Sequence, residues 1–462
     1  MGIGPQLMMP RTATDFAHKK IAAHGSRPNN PGDMKPLRTL SLPIFLLIAT
    51  MAQAGDWPQW RGVNRDSIAI GEKPLPGLPA KATAAWRIPV GKGQGGLVLA
   101  GGKLLMLQET MVDGKPMETA TLINATDGKV LWQTPYGESW QYRNAYGPGP
   151  RVAPTIDGDL VFAQSVMGVL ACMSLADGKL IWSKSYKKDF GAKWFGGNAP
   201  GSRGTAASRH GNDGAPVTDK QHIYAPVGGH EGASLVCLEK RTGKVVWKSG
   251  SDYAAYSSLM LGKLAGENQV VMLTAANLIG YRASDGKILW SVPVKTGAAR
   301  NIVTPVLHGD TVTVASHTIG TFQLRIRNSG DSQEADQVWL NRDVRTNIAT
   351  PVLSGGYLYG LGTTRGRNSD FVCLNHKTGK IEWSQKGFPD YASVIGLGDQ
   401  LLVHGSMGEL VLLKATPEKY TELGRLQASQ RSWNFPVYSD GILYVKDGLR
   451  DGNNKLTALK LR

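Results

Sequence analysis

The chain has 462 residues, 57 of them Gly and 12 Trp, and a formal charge of +16. That length holds two or three average domains or one large repetitive one, and the many glycines, short β-branched runs and scarcity of long apolar helical stripes point to an all-β protein. The charge alone would suit a nucleic-acid binder, but no dense Lys/Arg run and no zinc-finger, helix-turn-helix or RNP signature accompanies it, which excludes that partner class.

In chain order, residues 1–33 are polar and rich in Pro and Gly, and read as a disordered leader or as sequence upstream of the true start at Met34. Residues 34–54, MKPLRTLSLPIFLLIATMAQA, have the three parts of a signal peptide: Lys35 and Arg38, an apolar stretch over 40–49, and Ala52-Gln53-Ala54 before the cut. The stretch is too short to span a bilayer. No Cys stands at the cleavage site to take a lipid. The expectation is a periplasmic or secreted chain beginning at Gly55, neither membrane-spanning nor lipid-anchored.

From there one phrase repeats. TDGKVLW ends at Trp132, DGKLIW at Trp182, TGKVVW at Trp247, DGKILW at Trp290 and TGKIEW at Trp383. With Trp86 and Trp339 the series has intervals of 46, 50, 65, 43, 49 and 44 residues, the period of a propeller blade. Each unit predicts three short strands, an Asp/Thr-Gly turn whose glycine supplies a positive φ, and a fourth strand carrying the Trp. Each Trp is expected to dock against the neighbouring unit. Cys172, Cys237 and Cys373 each lie ten residues before a Trp of the series. Equivalent positions in different blades are far apart in space, so the three are read as buried core thiols and not as disulfides. First strands beginning near Gly96, Arg151, Asn212, Ser257, Asn301, Asn347, Tyr391 and Asn434 give eight units. The last lacks a fourth strand, and the segment around Trp86 supplies it. The prediction is an eight-bladed β-propeller of four-stranded antiparallel blades over residues 55–462, closed by an N-terminal strand.

The Gly-Lys-x-x-Trp unit, with a small residue ten positions before the Trp, resembles the tryptophan-docking repeat of the PQQ-like β-propellers. That family includes quinoprotein alcohol dehydrogenases and the propeller lipoprotein of the outer-membrane β-barrel assembly machinery. DWPQWRGVNRD, residues 56–66, resembles an N-terminal segment of exported members. The repeat departs from the family pattern eight residues before each Trp, where Asp is usual and Asn124, Ser174, Glu239, Arg282 or Asn375 stands here. Leu423 falls where an eighth Trp would be expected.

Short Gly-bearing turns join first to second and third to fourth strands, so the long connections emerge together on the opposite face: 135–149, 191–214, 363–370 and 446–454. Residues just before the innermost strands surround the channel mouth there. They include Arg151, Asn212, Arg300, Asn301, Arg345, Asn347, Arg431 and Asn434. Guanidinium forks suit carboxylates or phosphates, and asparagine both donates and accepts, so an anionic ligand over the funnel is one reading; capping of exposed backbone groups at strand ends is the other. Trp194, with Trp140, Tyr142 and Tyr146, either stacks on a ring-shaped ligand or pins a long loop. His210, His222 and His230 fit no compact metal motif, and no metal is expected.

The resemblance implies two functions. A quinoprotein dehydrogenase oxidising alcohols or sugars would need bound PQQ, a calcium ion beside it, an Asp base and adjacent cysteines under the cofactor. The sequence has no Cys-Cys pair and no Asp that the repeat places at the mouth. The preferred reading is therefore an exported, non-catalytic, monomeric propeller without a cofactor, binding a protein, glycan or anionic small molecule on the long-loop face.

Overall fold

The computed structural model divides into units of residues 1–49 and 50–462, and describes residues 55–141, 147–192, 211–229, 231–363 and 368–462. The described residues form eight four-stranded antiparallel sheets. Seven take their strands consecutively from 98–138, 155–185, 217–249, 260–293, 306–341, 352–388 and 392–427. The eighth combines three strands within 437–460 with Thr83–Val90, whose outer position is fixed by antiparallel pairing of Val90 with Asn454 through Thr83 with Lys460. First and last blades are thereby tied by both ends of the chain, and the ring has no open seam between them.

The repeat motif makes the joints between blades. In five of the eight joints the indole lies on the bare Cα of the glycine in the next blade's third turn: Trp86 on Gly128, Trp132 on Gly178, Trp182 on Gly243, Trp247 on Gly286 and Trp339 on Gly379. A Cβ at Gly243, where φ is +67°, would sit 2.7 Å from the Trp182 ring. The glycine thus serves two ends, the left-handed turn and a flat seat. The indole N–H then donates to the carbonyl three residues earlier, as in Trp132 to Leu175 (3.0 Å), Trp182 to Lys240 (2.8 Å) and Trp247 to Ala283 (3.1 Å). Of the five residues standing where the family has Asp, the side chains of Asn124, Ser174 and Asn375 accept backbone N–H groups of their own turns. Cys172, Cys237 and Cys373 are free and buried, each directly across the sheet from its own Trp.

Three joints differ, for identifiable reasons. The third turn of blade seven has no Gly, and there Trp383 meets the Tyr420 ring edge-on (centroids 5.8 Å apart) while still donating to the Thr416 carbonyl (2.8 Å). Blade five ends in a long hairpin, 320–341, without the Gly-Lys turn, so Trp290 donates instead to Gln269 Oε1 (2.7 Å), whose amide donates on to Gln333 of blade five (2.7 Å). In blade seven the bulged register that pairs Cys237 with Trp247 pairs Leu412 with Gly424. The eighth Trp position is therefore Gly424 and not Leu423, which is exposed. Leu78 from the N-terminal segment occupies the vacant space, 3.3 Å from a Cβ built at Gly424. Beside it, Leu75 and the Gln400 amide exchange two hydrogen bonds (2.7 and 2.8 Å).

Candidate functional site

The segment 57–69 crosses the central channel. Trp57 exchanges backbone bonds with Leu99 of blade one (2.6 and 2.8 Å), and Pro58 accepts from Ile156 of blade two (2.8 Å). Arg65 donates to the carbonyls of Pro216 (2.9 Å) and Ala215 (3.3 Å) beside blade three, and Arg61 to Pro351 (2.7 Å) beside blade six. Ser67 and Ala69 bond Gly396 of blade seven, and Trp60 packs on Phe435 of blade eight with centroids 5.1 Å apart. Both guanidiniums are buried, and loss of water pulls Arg61 down to about 10 and Arg65 to about 9. Arg61, Arg65 and Ser67 all hold positive φ (62°, 58° and 65°), a conformation that persists because surrounding bonds over-determine it.

Above this plug lies a cavity of about 170 Å³, a little larger than a cavity of about 150 Å³ that holds one benzene ring. Its floor includes Trp60 and Arg61, and its wall takes residues from every blade. Arg151 and Arg300 line it, as do Asp213, Tyr256, Tyr391 and Trp433. The last two rings stack with centroids 5.4 Å apart and planes at 15°. The cavity opens on the long-loop face: Arg151 donates to Gly147 (3.0 Å) in one long connection, and Gln94, also on the wall, donates to Gly448 (2.9 Å) in another.

The other mouth residues serve the backbone or stand outside. Asn212 donates to Val166 (3.2 Å), Asn301 to Thr274 (2.8 Å) and Val294 (3.1 Å), and Asn434 to Lys446 and Asp447. Arg345 is exposed and folds back onto the Arg342 carbonyl, Arg431 is exposed, and Asn347 is half-buried outside the cavity wall. Trp194, Tyr142, Tyr146, His210 and His230 lie outside the described residues. Trp140 is half-buried on the loop face. His222 contacts Asp219 at 3.2 Å in a turn of the opposite face. Among the described residues no group of three or more His, Cys, Asp and Glu is gathered for a metal.

The electrostatics were not legible from the repeat. Asp213 keeps some exposure as a residue, but its Oδ1 is shielded and has no hydrogen-bond partner among the described residues. Burial raises its pKa to about 7, and Arg151 pulls the other way. Behind this wall Glu118, fully buried, accepts from Tyr136 Oη (2.9 Å) and the Val166 N–H (3.1 Å). Desolvation lifts it to about 8 against those bonds and the Arg151 charge. A folded pKa above the ordinary carboxyl value means that Glu118 contributes stability in full below about pH 4.5, and that the contribution is lost as pH rises through about 8. The expected result is a melting temperature that falls from pH 5 to pH 8, with up to ~5 kcal/mol at stake from this group. Thermal melts of Glu118→Gln across the same range should be flatter; an unchanged slope would remove Glu118 as its source.

A quinone with calcium fits this wall poorly. Calcium takes six to eight oxygen ligands with carboxylates among them, and the cavity offers one carboxylate, Asp213, beside guanidinium groups.

The family model described as outer membrane protein assembly factor BamB matches residues 116–385. The outer membrane protein assembly factor BamB of Moranella endobia (strain PCIT) is 23% identical over 305 residues, covering 63% of this chain and 70% of the relative. Among solved structures, the computationally designed Ika8 protein superposes with a TM-score of 0.52 at 10% identity, over 80% of this chain and 97% of its own. Quinohemoprotein alcohol dehydrogenase from Comamonas testosteroni gives 0.46 at 13% identity, over 89% of this chain and 81% of its own. At 10% identity the Ika8 superposition speaks to the fold alone.

Proposed function

The chain belongs to the outer membrane protein assembly factor BamB family of PQQ-like propellers, and from that premise we propose that it is an exported, non-catalytic scaffold that engages a protein partner through its long-loop face. The family match, which runs from blade one through blade six, carries this reading. A rigid ring with its long connections gathered on one side is a platform suited to that task. In this reading residues 34–54 direct export and 55–462 are the working propeller, a monomer in the periplasm or outside the cell. No helix among the described residues is long and apolar enough to cross a membrane.

The test places a photo-crosslinking residue at Arg345 or Arg431 on the loop face and at Lys179 on the turn face, each exposed, in cells making the full chain. A discrete adduct with an outer-membrane assembly protein from the first two sites, and none from the third, is the expected result. Equal adducts from both faces would overturn the choice of face. Saturable uptake of PQQ with Ca²⁺, followed by alcohol-dependent reduction of an artificial electron acceptor, would overturn the non-catalytic role.

A further inference from the structure

The cavity below the loop rim holds groups for which a protein scaffold has no use. Arg300 reaches its wall with no hydrogen bond or ion pair among the described residues; with burial, its charge disfavours the charged form of nearby His317. The lining also holds Asp213, whose shielded Oδ1 has no hydrogen-bond partner among the described residues. A buried polar atom left without a partner forfeits the hydrogen bond it had in water, so Asp213 is set to gain from any donor that enters. The same lining carries aromatic rings, Tyr391 stacked on Trp433, with Trp60 in the floor.

We propose that this cavity binds one small acidic sugar of the uronic-acid class, its carboxylate held by Arg300 with Arg151, a hydroxyl donated to Asp213 Oδ1, and its C–H face laid on the aromatic wall. Three competing ligand classes leave part of the wall unused. Inorganic phosphate would pair with the arginines but would face the Asp213 carboxylate and waste the rings. An aromatic acid would stack and pair but leave Asp213 unsatisfied. A neutral hexose would satisfy Asp213 and the rings while leaving Arg300 bare. A zwitterionic amino acid could meet all three groups. It carries no net charge, however, whereas the described lining residues hold three guanidiniums, Arg61 in the floor and Arg151 and Arg300 in the wall, against one carboxyl group. That excess favours a ligand that is itself an anion. The volume, about 170 Å³, admits one substituted ring and not a polymer.

This site lies beneath the rim and stands apart from the scaffold reading, so crosslinking at Arg431 and sugar binding can fail separately. Calorimetric titration of the full chain with D-glucuronate and D-galacturonate, against D-glucose, benzoate, phosphate and phenylalanine, tests it. The expected result is saturable uronate binding about tenfold or more tighter than any comparator, the worth of one charged hydrogen bond. Arg300→Gln should weaken uronate about tenfold and leave glucose unchanged, Asp213→Ala should weaken both, and Arg345→Gln should change neither. Added salt should weaken uronate alone; that comparison on the unaltered chain decides the matter if Arg300→Gln does not fold. Equal affinity for glucose and glucuronate, tighter binding of phenylalanine or benzoate, absence of saturation, or an Arg300→Gln protein with undiminished uronate affinity would each overturn the proposal.

Discussion

Replacing Trp182 by Ala lowers the stability of the ring by ~3–5 kcal/mol, the range for deleting a buried aromatic side chain. Three losses combine. The indole leaves the core formed with Leu160, Phe162, Leu170 and Val236. A cavity opens against Gly243, whose bare Cα has no atoms with which to fill it. The Lys240 carbonyl also loses its donor. Trp182→Phe restores most of the buried area without the hydrogen bond and should cost only ~1 kcal/mol more than that area predicts. Leu180, two residues earlier and 52% exposed, is the control, and its change to Ala should stay within ~0.5 kcal/mol. Denaturant midpoints of the three variants decide the matter. A Trp182→Ala midpoint no lower than that of Leu180→Ala would show that the joints do not carry the ring.

The second large effect is expected far from any joint. Arg65→Ala should destabilise the protein by ~2–4 kcal/mol, because it strands the Pro216 carbonyl, removes one of the two donors to Ala215, which keeps the Leu259 N–H (3.1 Å), and empties the space of a buried side chain. The loss is tempered because a guanidinium held at about 9 by burial, with Arg61 as a like-charged neighbour, is itself costly to keep there. Arg65→Met, which retains volume while removing the charge, should therefore cost less than Arg65→Ala. If both variants melt with the unaltered chain, the plug is not held by this side chain.

The ring was legible because its instructions are local and repeated: a glycine turn and a tryptophan at fixed offset, again and again, with the missing fourth strand visible at one end and a spare at the other. What escaped were positions set by neighbours. Leu423 was expected in the docking slot, but the bulge in its strand advances the register by one, to Gly424. Asn212 and Asp213 are adjacent and equally polar; one turns to the backbone of blade two while the other faces the cavity, and no spacing rule separates them. Arg151 and Arg300 reach the cavity wall, while Asn301 and Asn434 turn to backbone carbonyls. Trp60 was read only as part of a family-like segment, because what places it under the mouth is contact with Thr304, 244 residues away in the chain.

That distance bears on how the molecule is made. Residues 57–90 leave the ribosome before any of the blades they tie, yet Arg61 needs Pro351 and Arg87 needs Thr457, partners 290 and 370 residues downstream. The earliest segment must stay unpaired through nearly the whole of synthesis, and the closing strand can pair only when the last one exists. Such non-local pairing is slow and leaves sticky edges on show meanwhile. Maturation should accordingly end in one late step, with the blades formed and the circle still ajar, and a chain cut short of residue 454 should never pass it.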